Sequence, residues 1–243
     1  MKISQLNMNF WKPVVTTIRF EDKNRYLADV INNEKPALIG INEFASGQKY
    51  IDDLDNRLDE YTVIKPIGFD NNAHPRSLMN LIVIKKNINF RSVDLKCSLP
   101  NRLNVLDINL LGDDKPPVHL VNIYMVQTAI LPKHMRFKRE LAHDCLWIEL
   151  NILLKSYSGE PVILMGDLQE TSKGNNIERL VKEFGYKELI AGNYAPVETF
   201  EYQTIDHILF SETAMRLLNP NSYEVDTASL AISDHPMLSV SVA

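Results

Sequence analysis

Residues 61–124 consist of one strand-like run after another, with no room between the runs for a helix. Each run is short, rich in Ile, Val and Leu, and bounded by turn residues, which is the pattern of a β-strand. Parallel neighbours need a crossover of about a dozen residues or more, so this region predicts antiparallel pairing. The strands predicted along the chain are Lys2–Leu6, Ala37–Asn42, Tyr61–Lys65, Leu78–Lys85, Phe90–Lys96, Leu103–Leu110, Val118–Tyr124, Val162–Met165, Ile205–Phe210 and Met237–Val242.

Helical patterns lie on both sides of this region. We predict helices at Glu21–Asn33, Gln48–Leu58, Lys133–Ser156 and Asn175–Phe184. Strands and helices that mix around an antiparallel centre indicate an α/β sandwich with mixed sheets and with helices on the outer faces. No loop is long enough to serve as a linker. We therefore expect one domain that spans residues 1–243.

The helix predicted at Lys133–Ser156 has the clearest pattern. Leu141, Cys145, Ile148 and Ile152 recur at spacings of four, three and four residues and make one apolar stripe. The beginning of this helix, Lys133–Arg139, is basic. Such a cluster is more often a solvated helix face than a groove for a phosphate backbone.

The charge balance of the chain is acidic. Of 243 residues, 26 are Lys or Arg and 31 are Asp or Glu, which gives a formal charge of −5. This balance argues against a polycation that coats nucleic acid, although it leaves room for a local basic groove. Cys97 and Cys145 form no CxxC pair. We therefore expect two buried thiols in a reducing compartment rather than a zinc site or a disulfide framework.

No targeting segment is recognisable in the sequence. Residues 1–10 contain one lysine and lack the apolar core of a signal peptide. No apolar run approaches the roughly 20 residues of a membrane span. We expect a soluble, cytoplasmic protein and a monomer.

Acidic and polar residues gather at the ends of the predicted strands. These residues are Asn7, Glu43, Asp167, Asp206, Asp234 and His235. Loops at the rim of a sheet are where α/β folds place their sites. Carboxylates in one cleft repel each other unless a cation lies between them. Because the set offers oxygen donors and lacks cysteine or several histidines, it favours Mg²⁺ or Mn²⁺, and hence metal-assisted phosphoryl transfer.

Six short motifs follow one another along the chain: Leu6-Asn7-Met8-Asn9, Ile41-Asn42-Glu43, Asn122-Ile123-Tyr124, Ile163-Leu164-Met165-Gly166-Asp167, Ile205-Asp206-His207-Ile208-Leu209 and Ser233-Asp234-His235-Pro236. This ordered set resembles the motifs of the endonuclease/exonuclease/phosphatase superfamily. That superfamily includes DNase I, exonuclease III-type abasic-site endonucleases, retrotransposon endonucleases, sphingomyelinases and inositol polyphosphate phosphatases. Any one motif is weak, but the ordered set spans nearly the whole chain. The resemblance implies a four-layer α/β sandwich, with two mixed, mostly antiparallel sheets packed face to face and helices outside.

The resemblance also implies a metal centre and a base. Glu43 would be the main ligand of Mg²⁺ or Mn²⁺, with Asn7 and Asp234 close to the ion. Asp167 would orient or deprotonate the attacking water.

Contacts with the phosphate follow from the same resemblance. His235 would contact the scissile phosphate while Asp206 holds its imidazole, since a carboxylate on one ring nitrogen fixes the tautomer and favours imidazolium. Arg102 resembles an arginine that many relatives place before the strand that is predicted here at Leu103–Leu110, and it would also contact the phosphate. Tyr124 stands where DNase I and the phosphoinositide phosphatases usually have His and where the exonuclease III and retrotransposon branches have Tyr, which favours a nuclease or DNA-repair-like branch.

Two glutamines depart from the superfamily's pattern. The motif Gly-Asp-x-Asn ends in Gln169 here, and Tyr-x-x-Asn ends in Gln127. Both keep an amide donor for the substrate but reach one methylene further. The changes fit either a shifted substrate or weakened chemistry.

Three functions stay open on this evidence. The first is a metal-dependent phosphodiesterase that acts on DNA. The second is a phosphatase or phospholipid-headgroup phosphodiesterase, acting on a small phosphate ester. The third is a binding module with a degenerate site. Specificity in this fold lies in loops, and the candidate loops here are Asn71–Ser77 and Thr128–His134.

Overall fold

A computed structural model describes residues 1–11, 20–69, 77–110, 115–128, 133–188, 205–219, 221–226 and 228–242. The α-helices are α1 (Phe20–Glu34), α2 (Gln48–Asp55), α3 (Lys133–Ser156) and α4 (Asn175–Glu183). The strands are β1 (Lys2–Asn7), β2 (Leu38–Ala45), β3 (Tyr61–Ile64), β4 (Leu78–Lys85), β5 (Phe90–Ser92), β6 (Leu103–Ile108), β7 (Val118–Tyr124), β8 (Val162–Asp167), β9 (Lys187–Glu188), β10 (Asp206–Phe210), β11 (Glu224–Asp226) and β12 (Met237–Ser241). None of the described helices is long and apolar enough to cross a membrane.

The strands form two six-stranded sheets. One has the order β11-β12-β1-β2-β4-β3 and the other has the order β5-β6-β7-β8-β10-β9. The pairs β1–β2 and β7–β8 are parallel, and each is connected through a helix, as a parallel pair requires. The antiparallel pairing predicted for residues 61–124 is confirmed in β3–β4, β5–β6 and β6–β7.

Three apolar layers hold the sheets and helices together. The middle layer lies between the sheets and joins residues such as Ile3 and Leu38 of the first sheet to Leu120 and Ile163 of the second. A second layer packs α1 and α2 on the outer face of the first sheet. A third packs α3 and α4 on the outer face of the second sheet. The predicted four-layer α/β sandwich is confirmed.

The layer between the sheets is apolar at one end and polar at the other. Because side chains alternate along a strand, every second residue points into this layer. The inward series read Ile3, Gln5, Asn7 on β1; Leu38, Gly40, Asn42 on β2; Leu120, Asn122, Tyr124 on β7; Ile163, Met165, Asp167 on β8; and Phe210, Ile208, Asp206 on β10. The polar residues of both sheets therefore meet at one end of the sandwich.

The predicted elements differ from the structure mainly in length. The strand predicted at Phe90–Lys96 ends at Ser92, and that predicted at Val162–Met165 runs on to Asp167. The short strands β9 and β11 were not predicted. They contain two and three residues, which is too short for an alternating pattern to show.

The apolar stripe predicted on α3 is not the face that packs on the sheet. Residues on the opposite side of the helix, Leu146, Trp147, Leu150, Leu153 and Leu154, are buried in the third layer. Leu141, Ile148 and Ile152 are 54%, 58% and 66% exposed. The helix therefore has two apolar faces, and periodicity alone does not distinguish them.

Gly166 is required where β8 passes β7 just before Asp167. Its φ is +142°, and a Cβ built there would lie 1.8 Å from the carbonyl oxygen of Ile123. We expect Gly166→Ala to lower the free energy of unfolding by more than about 3 kcal/mol, because backbone strain and overpacking add.

Chemical denaturation of Gly166→Ala and Gly159→Ala checks this prediction. Gly159 also has a positive φ, +86°, but a Cβ there meets nothing within 4 Å. Its substitution should cost only about 1 kcal/mol. Equal losses in the two variants would contradict the close-approach argument.

Candidate active site

Hydrogen bonds between the two sheets form the floor of the site. Gln5 of the first sheet donates to Asp206 of the second at 3.1 Å and to Asn42 at 3.1 Å. Asn42 donates to Asn122 across the sheets at 2.9 Å, and its side-chain oxygen accepts the backbone N–H of Asp167 at 2.9 Å. All five side chains are fully buried. Buried amides that are paired in this way fix the relative position of the sheets.

His235 and Asp206 form an ion pair across the same gap. His235 precedes β12 in the first sheet, and its Nδ1 lies 2.6 Å from Oδ2 of Asp206 on β10. Burial alone would lower the pKa of His235, but the Asp206 carboxylate outweighs it and raises the pKa to about 9. The imidazole is therefore charged at neutral pH, with Nδ1 bound and Nε2 turned away from Asp206.

Asp167 lies beside this pair. It is the register partner of Asp206 on the adjacent antiparallel strand. Ligand atoms of Asp167, Asp206 and His235 all lie within 4.8 Å of one another. Burial and the neighbouring Asp206 charge raise the pKa of Asp167 to about 7, although His235 acts in the opposite direction. This carboxyl group can therefore take up and release a proton near neutral pH.

Glu43 projects into the site from a β-bulge. The register of β2 against β4 shifts between Ile41 and Phe44, and Glu43 has a φ of +53°. Such a conformation costs energy in a non-glycine residue and is common at functional sites. Burial together with the Glu43 charge raises the pKa of Tyr124 well above its ordinary value. Tyr124 is therefore a neutral donor.

Asn7 faces Glu43 and Asp167 with its amide nitrogen. Nδ2 donates to Oε1 of Glu43 at 3.1 Å and to Oδ2 of Asp167 at 2.8 Å. The side-chain oxygen accepts the backbone N–H of Asn9 at 2.9 Å. In this arrangement Asn7 holds two carboxylates together, and it would have to rotate to offer oxygen to a metal. Its predicted role as a ligand stays a prediction.

Asp234 is held beside the site by Asn9, and Lys23 in turn holds the backbone at Asn9. Asn9, with a φ of +37°, donates to both carboxylate oxygens of Asp234 at 3.1 and 3.2 Å. Lys23 of α1 is only 1% exposed and donates to the carbonyl oxygens of Met8 and Asn9. Burial lowers the pKa of Lys23 to about 8, against the opposing effect of Asp234 and Glu43.

The three residues predicted to bind substrate lie around this centre. Gln169, with a φ of +55°, folds back so that its backbone and side-chain N–H groups both donate to Asp167. Arg102 donates to the carbonyl oxygens of Tyr124 and Met125, and its guanidinium lies 4.2 Å from the centre of the Tyr124 ring. Gln127 follows β7 and is half-buried. The structure therefore gives Arg102 a supporting contact, and its phosphate contact stays a prediction.

The sequence analysis assigned no role to the buried residues that hydrogen-bond beneath the site. Gln5, Asn42 and Asn122 interrupt otherwise apolar inward series, and that interruption was the available signal. Lys23 gave none, because a lysine on an amphipathic helix is ordinarily exposed. The predicted loops Asn71–Ser77 and Thr128–His134 lie largely outside the described residues.

The carboxylates of the site suit a divalent cation. Glu43 and Asp234 stand at its more open side, and Asp167 and Asp206 lie beneath them. Burial raises the pKa of Asp167 most, and the nearby charges of Asp206 and Glu43 raise it further against the opposing effect of His235. An oxygen-binding cation such as Mg²⁺ or Mn²⁺ would relieve that repulsion.

Comparison with known proteins gives a match in fold but none in sequence. No family model matches the chain, and no curated protein matches its sequence. The 3'-5' exonuclease NExo from Neisseria meningitidis superposes with a TM-score of 0.70 at 14% identity, covering 100% of this chain and 99% of the exonuclease. Truncated TDP2 from Caenorhabditis elegans gives 0.68 at 14% identity, with coverages of 100% and 97%.

A retrotransposon enzyme shows the same likeness. The endonuclease domain of TRAS1, a telomere-specific non-LTR retrotransposon, gives a TM-score of 0.65 at 16% identity, covering 99% of this chain and 97% of that domain. At these identities the comparison establishes the fold. The chain shares the fold of these three proteins, which is the fold that the resemblance of its ordered motifs implied.

The raised pKa of His235 makes the stability of the metal-free protein depend on pH. Between pH 6.5 and 8 the folded chain holds a proton on His235 that the unfolded chain has lost, so stability falls as pH rises through this window. At 1.36 kcal/mol per unit the loss is at most about 2 kcal/mol. Below pH 6.5 the full contribution is present.

Denaturation of wild type and Asp206→Asn in a chelating buffer measures this effect. His207 also has a raised pKa and adds a change of the same sign, which the difference between the two proteins largely removes. Asp167, whose pKa is raised to about 7 partly by Asp206, adds a further fall of the same sign, so the difference reports Asp206 together with His235 and Asp167. The Asp206→Asn curve should be flatter between pH 6.5 and 8. Parallel curves would contradict the charged Asp206–His235 pair.

Proposed function

We propose that this protein is a metal-dependent phosphodiesterase, and that its substrate is DNA. The Asp206–His235 ion pair beside Asp167 is the observation that carries the proposal. It places a cation, which can contact a phosphate, next to a carboxylate that can accept a proton from water. Burial in one gap strengthens both effects, because charges interact more strongly away from solvent.

Glu43 and Asp234 would hold Mg²⁺ or Mn²⁺, and the ion would polarise the phosphate and acidify a bound water. His235 would donate from Nε2 to a phosphate oxygen, since Nδ1 is bound to Asp206. Asp167 would accept the proton of the attacking water as the water oxygen bonds to phosphorus and the opposite P–O bond breaks. The leaving oxygen would then take up a proton from solvent, and Asp167 would release to solvent the proton that it accepted.

Asp167 must exchange one of its present donors for water to act in this way. Its Oδ2 accepts hydrogen bonds from both Asn7 and Gln169, and its Oδ1 accepts the backbone N–H of Gln169. The Gln169 side chain belongs to a turn at the site's edge and is half-buried. It is the donor most easily displaced when a substrate enters.

Two observations favour DNA over a small phosphate ester. Tyr124 is a neutral phenol, as in the nuclease branches that the motifs resemble. Among proteins of the same fold, one is named a 3'-5' exonuclease and another an endonuclease domain. Cytoplasmic location was expected from the sequence and stays a prediction.

A binding module with a degenerate site is the second candidate. The observation that favours it is the Gln169 amide, which occupies the carboxylate that would activate water. An asparagine side chain at this position is shorter by one methylene and would not reach the Asp167 carboxylate with the same geometry. If the glutamine cannot be displaced, the site would bind a phosphate without hydrolysing it.

Hydrolysis of bis-p-nitrophenyl phosphate with Mg²⁺ or Mn²⁺ tests the enzyme directly. We expect metal-dependent turnover in the wild type, lost by roughly 10²-fold or more in Asp167→Asn and in His235→Ala, as is typical when a group that transfers or stabilises charge is removed. Asp144→Asn and His143→Ala change the same residue types on α3 and should keep full activity.

The outcomes separate the candidates. Cleavage of plasmid or abasic-site DNA without turnover of inositol phosphates supports the nuclease. Turnover of inositol phosphates or sphingomyelin alone would overturn the nuclease hypothesis in favour of a phosphatase or a phospholipid-headgroup phosphodiesterase. Mn²⁺ binding without any hydrolysis would favour the degenerate module, and failure of both turnover and Mn²⁺ binding would overturn the enzyme.

A further inference from the structure

Helix α3 carries an apolar stripe on the side that faces away from the sheet. Phe137, Leu141, Ile148 and Ile152 are 74%, 54%, 58% and 66% exposed, and Cys145 lies between them, half-buried. From Phe137 to Ile152 the stripe extends about 22 Å at 1.5 Å per residue. Four large apolar side chains over this length make a patch of roughly 400–500 Å², a size that commonly marks an interaction site.

A groove of about 810 Å³ opens beside the C-terminal half of this stripe. Ile148 and Ile152 form one wall, and the opposite side includes Phe184 at the end of α4. The groove and the projecting side chain of Phe137 therefore lie at opposite ends of one surface. A projecting aromatic and a recess on the same face are the two halves of a self-complementary contact.

We propose that two copies of this chain pair through α3, with the helices antiparallel about a twofold axis close to Cys145. Cys145 lies near the midpoint between Phe137 and Ile152, so the axis exchanges the two ends of the stripe. Phe137 of each copy would then enter the groove beside Ile152 of the partner subunit. This proposal departs from the monomer expected from the sequence.

The charges at the two ends of the surface complement each other. The N-terminal end of α3 carries Arg136, Lys138 and Arg139 with a single carboxylate, Glu140, among residues 136–140. The groove is lined by three carboxylates, Glu160, Glu183 and Glu212, and by two cations, Lys155 and Arg179. Glu183 already pairs with Arg179 and Glu160 with His119, so the acidic excess of the lining is a single charge. Antiparallel pairing brings the basic end of each copy to the partner's acidic excess, and it also opposes the two helix dipoles favourably.

The size of the contact requires both the stripe and the groove. A standard interface buries about 800 Å² on each partner. The stripe alone supplies about half of that area. The groove lining beyond Ile148 and Ile152 would have to supply the remainder, and a second copy would reach it with Phe137 together with the basic residues beside Phe137.

Sedimentation velocity of the full chain at 5–100 µM, a span of roughly 20-fold, tests the pairing. We expect a dimer in the wild type and a monomer in Ile148→Glu and in Phe137→Glu, with dissociation constants raised at least about 100-fold, since a charge would be buried in the contact. Ile67→Glu changes another exposed isoleucine, 41% exposed and outside the stripe and the groove, and should stay dimeric. Unchanged circular dichroism shows that each variant is folded.

Cross-linking tests the antiparallel geometry. Asp144 is 71% exposed and lies beside the proposed axis. In a Cys97→Ser/Cys145→Ser background, Asp144→Cys should be linked to its copy by a short bis-maleimide, whereas Lys182→Cys on α4 should not. A wild type that is monomeric at 100 µM would overturn the proposal. A dimer that survives Ile148→Glu, or that links only through Lys182→Cys, would overturn the assigned surface.

Discussion

Burial of two adjacent carboxylates, Asp167 and Asp206, is the constraint that the rest of the site satisfies. Both side chains are fully buried and pair in register on neighbouring strands. Removing an uncompensated carboxylate from water costs several kcal/mol, so each needs donors or a cation close by. His235 and Gln5 supply these to Asp206, and Asn7 and Gln169 supply them to Asp167. Three of the four donors come from other strands or their ends, which ties the site to the packing of the two sheets.

The backbone adopts costly conformations where these side chains must be aimed. Asn9, Glu43 and Gln169 have positive φ values without being glycine, and each lies directly at the site. Gly166 lets β8 run close to β7, so that Asp167 reaches the gap at the end of the strand. Strain of this kind persists only where the surrounding structure fixes it. The amide network under the site and the three apolar layers provide that support.

The sequence predicted the fold better than it predicted contacts. Short Ile-, Val- and Leu-rich runs identified the strands, and the order of the motifs brought Glu43, Asp167, Asp206 and His235 to one place. The partner of each polar group could not be read in this way, because a hydrogen bond such as Gln5 to Asp206 joins residues 201 positions apart. Helix α3 shows the same limit: both of its faces are apolar, and only the packed structure shows which one meets the sheet.

Asp206 keeps His235 charged, so that the site holds a cation for phosphate before any metal binds. Nitrogen-15 NMR of the His235 imidazole in metal-free protein measures this charge, with His235→Gln used to assign the signals. We expect both ring nitrogens to be protonated at pH 7.5 and the ring to titrate near pH 9. A neutral ring at pH 7.5, or titration at the ordinary value of about 6.5, would contradict it.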